Sequence, residues 1–340
     1  MDFMEALECT EPGILNLVRR PVPVRGADEV LVRPRRMGIC GTDFHIYEGK
    51  HPFLAYPRIM GHELAVEVVE APSASGFARG EMLVVNPYIA CGSCVACRRG
   101  KPNCCTSISV LGVHRDGGMA GLLTLPAVNL IRAEGLSLDA CATVEFLAIG
   151  AHAIRRARLD GGERVLVIGA GPIGLGVSLF AAQKGVHLTV MDRDQARLNV
   201  ASGIVAGIST IVAGDESLAA IHTLTDGDGF DVVFDATGNA QSIESGFNFV
   251  AHGGSYVLVS VVKGDIRFVD ADFHRREMSL LGSRNATDED FTTVISAIRD
   301  GSVNPDALIT HRTTLAAAAQ DMPRWASDKT GLIKAIVEID

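Results

Sequence analysis

The stretch from Glu163 to Asp192, ERVLVIGAGPIGLGVSLFAAQKGVHLTVMD, constrains this chain more than any other. A β-branched run, Val165 to Ile168, leads into Gly169-Ala170-Gly171-Pro172-Ile173-Gly174. A long apolar segment able to run as a helix follows, and a second apolar run, Leu188 to Met191, ends on Asp192. Strand, glycine turn, helix and strand make one βαβ unit of the dinucleotide-binding type. Gly169 permits the tight turn, Gly171 lets the backbone approach a pyrophosphate, and Gly174 lets the helix pack closely. The helix opens at Pro172 and Ile173, where free N–H groups and the macrodipole favour phosphate. Asp192 stands where a carboxylate accepts from the adenosine ribose hydroxyls and repels an added phosphate, so the motif favours NAD over NADP. Arg193 beside it reads as a solvated loop charge, with a phosphate contact as the alternative. A glycine-rich turn in an unrelated α/β protein is the competing reading, but such a turn does not require the flanking strand, helix and terminal acid together.

With 340 residues the chain is long enough for two domains. From the N-terminus to about residue 145 it reads as short strands broken by Gly and Pro, for example Val30 to Arg33, Ala65 to Glu70 and Met82 to Val85. From about 148 strands alternate with helices. Strands are expected at 164–168, 187–191, 209–212, 230–235, 254–260 and 278–282, and helices at 172–184, 194–203, 216–224, 241–250 and 288–300. That alternation predicts a doubly wound parallel sheet of about six strands. The run Gly254 to Val262 reads either as an interface strand or as the last parallel core strand. Leu332 to Ile339 is strand-like and is a candidate to return to the first domain.

A net charge of −9 argues against nucleic acid or an anionic membrane as the main partner. No run is long and apolar enough to span a bilayer. The first residues, MDFMEALECTEPG, lack the basic and apolar regions of a secretory signal, and the eight cysteines cluster at metal-like spacings, so a reducing cytoplasm is expected.

Four segments carry metal or catalytic chemistry. Cys91-x2-Cys94-x2-Cys97-x7-Cys105 is the most specific, because four closely spaced sulfurs suit a closed tetrahedral zinc site. Disulfides or core thiols are the bland reading. Cys104 competes for the fourth position, and the seven-residue spacer favours Cys105. Cys9 and Cys141 fit no pattern. Gly38-Ile39-Cys40-Gly41-Thr42-Asp43-Phe44-His45 and Gly61-His62-Glu63 bring a thiolate, an imidazole and a carboxylate, all zinc-ligand types. Each alone would read as an ordinary core residue. Glu145, in the apolar Val144-Glu145-Phe146-Leu147, needs a cation or metal if buried, and a structural salt bridge would serve equally.

Taken together, GICGTDFHIYEG, YPRIMGHE, NPYIACGSCVACRRGKPNCC, VLGVHRDGG and VEFLAIGAHA resemble the zinc-dependent medium-chain dehydrogenases from end to end. Within that family the chain is similar to the polyol and sugar-acid branch, above all to bacterial L-galactonate and L-gulonate 5-dehydrogenases. The resemblance implies an α/β architecture: a GroES-like β-rich catalytic domain (1–147 and 284–340) split by a Rossmann NAD-binding domain (148–283). It implies two zinc ions per chain. Cys40, His62, Glu63 and Glu145 would surround the catalytic one, and Cys91, Cys94, Cys97 and Cys105 the structural one. Thr42 and His45 match a relay taking the alcohol proton to solvent. Arg197, Thr237 and Gly238 join the glycine loop, Asp192 and Arg193 as expected cofactor contacts. Tyr47, His114 and Arg284 are candidate substrate contacts for an acidic sugar, and Arg115 reads better as a surface residue.

The implied reaction moves hydride from a secondary hydroxyl of a sugar acid to NAD, in a homotetramer or homodimer without nucleic-acid or membrane partners. A neutral polyol or L-threonine is the alternative substrate. A non-catalytic NAD-binding zinc protein and a zinc-independent quinone reductase are disfavoured by the presence of Cys40, Thr42, His45 and His62. The sequence departs from the family at Val66, where glycine is common, and at Phe146, where close relatives carry proline. The first is expected to alter strand packing, the second to shift a loop bearing Glu145.

Overall fold

A computed structural model describes residues 2–50 and 55–339. The chain divides into two compact units, Met1–Phe146 with Ala286–Asp340, and Leu147–Asn285.

The first unit is β-rich. Its main sheet has seven strands. The long strand Glu29–Ile39 pairs with Glu63–Glu70 on one side and with Lys334–Glu338 on the other. Ile309–Thr314 lies parallel to Lys334–Glu338, so the last strand of the chain is built into the first unit, with Ala335 opposite Ile39. Alternating side chains of these strands, among them Val30, Val32, Met37, Leu64, Val66, Val68, Ala335 and Val337, fill one core. Val66 is fully buried there opposite Pro34 and Leu83, a packing position as expected.

The second unit holds a six-stranded parallel sheet. Its spatial order is Ser209–Val212, His187–Asp192, Arg164–Ile168, Phe230–Asp235, Val250–Leu258, Ser279–Gly282. The direction of progression reverses between Arg164–Ile168 and Phe230–Asp235, the switch point at which doubly wound sheets bind nucleotides. Val250–Leu258 is thus an interior strand, and Ser279–Gly282 takes the edge.

Two expectations fail. The 241–250 helix stops early: Ala240–Gly246 is α-helical, Phe247–Phe249 is a 3-10 turn, and a strand already begins at Val250. The glycines at 253 and 254 resemble a turn in sequence. They form a bulge instead, with Gly253 at φ +77° and the register slipping between Phe230 and Val232. The second failure is larger. Leu138–Ala157 is one 20-residue helix, so Glu145 sits mid-helix and not on a loop. Every residue from Ala140 to Ala148 is buried, which removes the polar face that would have announced a helix by its period.

Candidate active site and metal centres

The strand Glu29–Ile39 delivers the chain to Cys40, the N-cap of a short helix, Gly41–Tyr47. Asp43 of that helix accepts from the Cys40 backbone N–H through Oδ2, at 2.8 Å, and fixes the turn. Next to it in the sheet, His62 and Glu63 lead into the adjacent strand, with Glu63 opposite Gly38. Ligand atoms of Cys40, His62 and Glu63 all lie within 4.8 Å of one another. His62 and Glu63 are buried, and Cys40 is partly exposed. Glu145 is also buried, and its carboxylate accepts a short hydrogen bond from the Tyr88 hydroxyl.

Two atoms in this pocket stand out. Asp43 Oδ1 and His62 Nδ1 are buried without a hydrogen-bond partner and lie 3.8 Å apart. A slight closure would let Nδ1–H donate to the carboxylate, which sets the tautomer and leaves the other ring nitrogen to a metal. Burial alone pushes His62 down, but Asp43, Cys40 and Glu145 together hold it well above the ordinary imidazole value. Burial pushes the Glu145 carboxyl up to about 7 against the pull of His62, with Glu63 adding to the rise. Burial and the Glu145 carboxylate raise the Tyr88 hydroxyl well above its usual range. Cys40, Asp43 and Glu145 crowd one imidazole, and the Lys334 ammonium nearby is already engaged by Glu63, so the pocket can take further positive charge. A divalent cation held by sulfur, nitrogen and carboxylate oxygen would supply it, and that donor set suits zinc.

Asp43 and Tyr88 were given no role from the sequence. The aspartate lies inside the GTDFH segment and was visible there. The tyrosine carries no local signal, since its partner is 57 residues away. Lys334 was missed for the same reason. It is buried, and its ammonium donates to both Glu63 oxygens at 2.7 Å.

Thr42 lies beside the cysteine, with its hydroxyl 3.7 Å from Cys40 Sγ. His45 is exposed and Tyr47 half-buried on the same short helix. His114 is exposed and accepts from Val110 N–H at 3.1 Å through Nδ1, a turn-stabilising bond. Arg115 lines a surface cleft of about 480 Å³ with Met4, Arg20 and Leu122, and Arg284 is exposed in the second unit.

The second cysteine group is equally compact. Cys91, Cys94, Cys97 and Cys105 bring their sulfurs within 4.8 Å of one another. Cys94 and Cys97 are 3.5 Å apart at sulfur, far beyond the ~2.05 Å of a disulfide. Cys105 Sγ accepts from the backbone N–H groups of Cys91 and Ser107, at 3.3 and 3.4 Å, which fixes its sulfur beside the other three. Cys104 is exposed and outside the group. The four sulfurs fit a closed zinc site.

In the second unit, Gly169 has φ +101°. A Cβ on Gly174 would collide with the Gly169 carbonyl, so the first turn of the helix Pro172–Ala182 packs directly on the glycine loop. At Gly171 a Cβ would meet only Arg197 Nη1, at 3.9 Å. The chain itself makes no demand for glycine there, and the open space lies in front of a helix N-terminus with no side-chain cap. A space of this kind suits a pyrophosphate.

Asp192 ends its strand and accepts from Ala170 N–H at 2.7 Å and Asp194 N–H at 2.9 Å, with lone pairs left for hydroxyl donors. Arg193 and Arg197 are exposed, the latter 3.9 Å from Asp194. Across the switch point, buried Asp235 accepts from Thr237 N–H and hydroxyl at 2.9 and 2.7 Å, which sets the turn through Gly238 at φ +62°.

Comparison with known proteins identifies the family. Residues 26–135 match the model of the alcohol dehydrogenase GroES-like domain, and residues 172–300 that of the zinc-binding dehydrogenases. The chain is 39% identical over 339 residues to L-galactonate-5-dehydrogenase of Escherichia coli K12, covering 99% of each. A crystal structure of an alcohol dehydrogenase from Escherichia coli CFT073 in complex with NADH superposes with a TM-score of 0.91, at 28% identity and 99% coverage of both chains. A zinc-binding dehydrogenase from Sinorhizobium meliloti 1021 bound to NADP gives 0.89 at 27% identity, covering 99% of this chain and 100% of that one. The chain therefore belongs to the zinc-dependent medium-chain dehydrogenases, in the polyol and sugar-acid group, and is an NAD(P)-linked oxidoreductase of CH–OH substrates.

Proposed function

We propose that the chain oxidises a secondary hydroxyl of a polyhydroxylated sugar acid of the L-galactonate, L-gulonate or L-idonate type, with NAD as hydride acceptor. The convergence of Cys40, His62 and Glu63 on one point carries the catalytic part of this reading, and the buried Glu145, outside that group, acts electrostatically on the His62 ring. The 39% identity to an L-galactonate-5-dehydrogenase supports the substrate class.

In this reading Cys40, His62 and the carboxylates of Glu63 and Glu145 hold the catalytic zinc, and Cys91, Cys94, Cys97 and Cys105 hold the structural one. Zinc at an open site acts as a Lewis acid that lowers the pKa of an alcohol and makes it a hydride donor at neutral pH. Asp43 keeps the His62 ring oriented. The Thr42 hydroxyl takes the substrate proton, and exposed His45 passes it to water. Gly169, Gly171, Pro172, Ile173 and Gly174 seat the pyrophosphate, and Arg197 adds positive charge beside it. Asp192 binds the ribose hydroxyls, and Arg193 stays in solvent. Thr237 and Gly238 line the other side of the switch point. Tyr47, His114 and Arg284 remain the proposed substrate contacts, in a cytoplasmic homodimer or homotetramer whose catalytic domain (1–147 and 284–340) is split by the NAD-binding one (148–283).

A panel of L-galactonate, L-gulonate, L-idonate, sorbitol and L-threonine, each assayed with NAD and NADP, tests the reading. Turnover confined to the sugar acids with NAD is expected. Preference for sorbitol or threonine would move the assignment to a neutral polyol or amino-acid dehydrogenase.

A further inference from the structure

The first unit carries a second hollow, apart from the metal pocket. It is a cleft of about 480 Å³ between the strand Phe3–Glu11, its hairpin partner Ile14–Pro21, and the chain from Arg115 to Thr124. None of the residues proposed to hold zinc, relay the proton or touch substrate lines it. Much of its lining is hydrocarbon. Ile59, Ala120 and Leu123 are buried there, and Met4, Val22 and Leu122 are half-buried. A hollow of that volume matches sites for small molecules.

Three charged side chains line the cleft, and two are already matched. Arg20 donates to the carboxylate of buried Glu8. Asp116 Oδ1 accepts from Arg58 Nη1 at 3.0 Å and from the Ile59 N–H at 3.2 Å. Arg58 Nε stays buried without a partner, so that corner holds more donors than acceptors. The half-buried Arg115 side chain has neither hydrogen bond nor ion pair among the described residues. One positive charge is therefore left over beside an apolar wall, in a chain whose net charge is −9. A further donor is weakly held. The Leu122 N–H finds the Met4 thioether, at 3.2 Å, a poor acceptor on a side chain that adapts easily.

We propose that this cleft binds a monocarboxylate with an apolar body, its head on the Arg115 guanidinium and its tail along Met4, Val22 and Leu123. A carboxylate accepts two parallel N–H bonds from a guanidinium, and partial burial strengthens them. A sugar acid would press its hydroxyls against hydrocarbon without partners, so the proposed substrate is a poor occupant. A neutral apolar molecule would leave Arg115 unmatched, and a cation would be repelled. The site thus takes a ligand of a class that the oxidation does not use.

Octanoate is the probe, titrated calorimetrically into the zinc-loaded enzyme, with 1-octanol as the uncharged control. One saturable site per chain is expected, with octanol at least about 10-fold weaker. Arg115→Gln should weaken octanoate about 10- to 100-fold, the range for losing a hydrogen bond to a charged group, and leave octanol unchanged. Arg115→Lys keeps the charge and should retain most of the binding, which separates lost charge from a damaged fold. Val22→Trp fills the cleft from a half-buried loop position and should abolish binding of both. Cys40→Ser should bind octanoate as the wild type does, so the inference stands or falls apart from the proposed reaction. Absence of saturable octanoate binding overturns it. Equal affinities for octanoate and octanol, or wild-type affinity in either Arg115→Gln or Val22→Trp, do the same. So does loss of binding in Cys40→Ser, which would put the carboxylate on the metal.

Discussion

The glycines of the nucleotide loop allow a test in which two neighbouring substitutions fail for opposite reasons. At Gly171 the backbone is extended, φ −78° and ψ −178°, a conformation alanine adopts without strain. A Cβ there finds nothing nearer than Arg197 Nη1 at 3.9 Å. Gly171→Ala should therefore leave the melting temperature of the cofactor-free protein unchanged, or raise it slightly by restricting the unfolded chain. The methyl instead fills the space in front of the helix N-terminus. Displacing a phosphate from one charged hydrogen bond costs about 1.5–3 kcal/mol, so the NADH Kd should rise roughly 10- to 100-fold.

At Gly174 the same methyl runs into the Gly169 carbonyl, which is backbone and cannot rotate away. Loop and helix would have to part by roughly an ångström or more to restore contact distance. Overpacking of this kind costs about 1–3 kcal/mol, a fall of roughly 3–10 °C. Thermal denaturation without cofactor and fluorescence titration with NADH separate the two. A destabilised Gly171→Ala that binds NADH normally, or a Gly174→Ala with wild-type melting, would refute the assignment of the two glycines.

Cys40→Ser should lose one metal per chain by elemental analysis and nearly all turnover, while Cys94→Ser should lose the other metal and stability instead. Asp43→Asn should loosen the catalytic zinc by about 10-fold, read as release to a chelator, because the His62 ring loses the anion that aligns it. Asp139 is held below the usual carboxylate range by the hydrogen bond from Arg312, with Arg36 adding to it. Its folded-state value is depressed, so the stability it gives is present above ~3.9 and is lost as pH falls through the folded value. Arg312 is half in water, so the pair is worth roughly 0.5–1 kcal/mol at most, and Asp139→Asn should flatten the acid limb of a pH–stability curve by about that much. Asp192→Ala should narrow the preference for NAD over NADP in kcat/KM; an unchanged ratio would remove Asp192 from the ribose site.

Features set by spacing along the chain were legible without a structure. The βαβ unit, its three glycines and its terminal acid lie within 30 residues, and the four cysteines within 15, so backbone geometry alone brings each group together. The strands at 164–168 and 209–212 fall where their β-branched runs put them. A buried helix reads differently: Leu138–Ala157 has no polar stripe over its inner turns, and Glu145 was consequently placed on a loop. The partners of the buried charges were beyond reach altogether. Lys334 meets Glu63 across 271 positions because the last strand is inserted beside Glu29–Ile39, and Tyr88 meets Glu145 across 57. Residue types and local spacing name the atoms able to bind a metal. Sheet order decides which of those atoms are already taken, because a buried charge must find its counter-charge wherever the fold brings one.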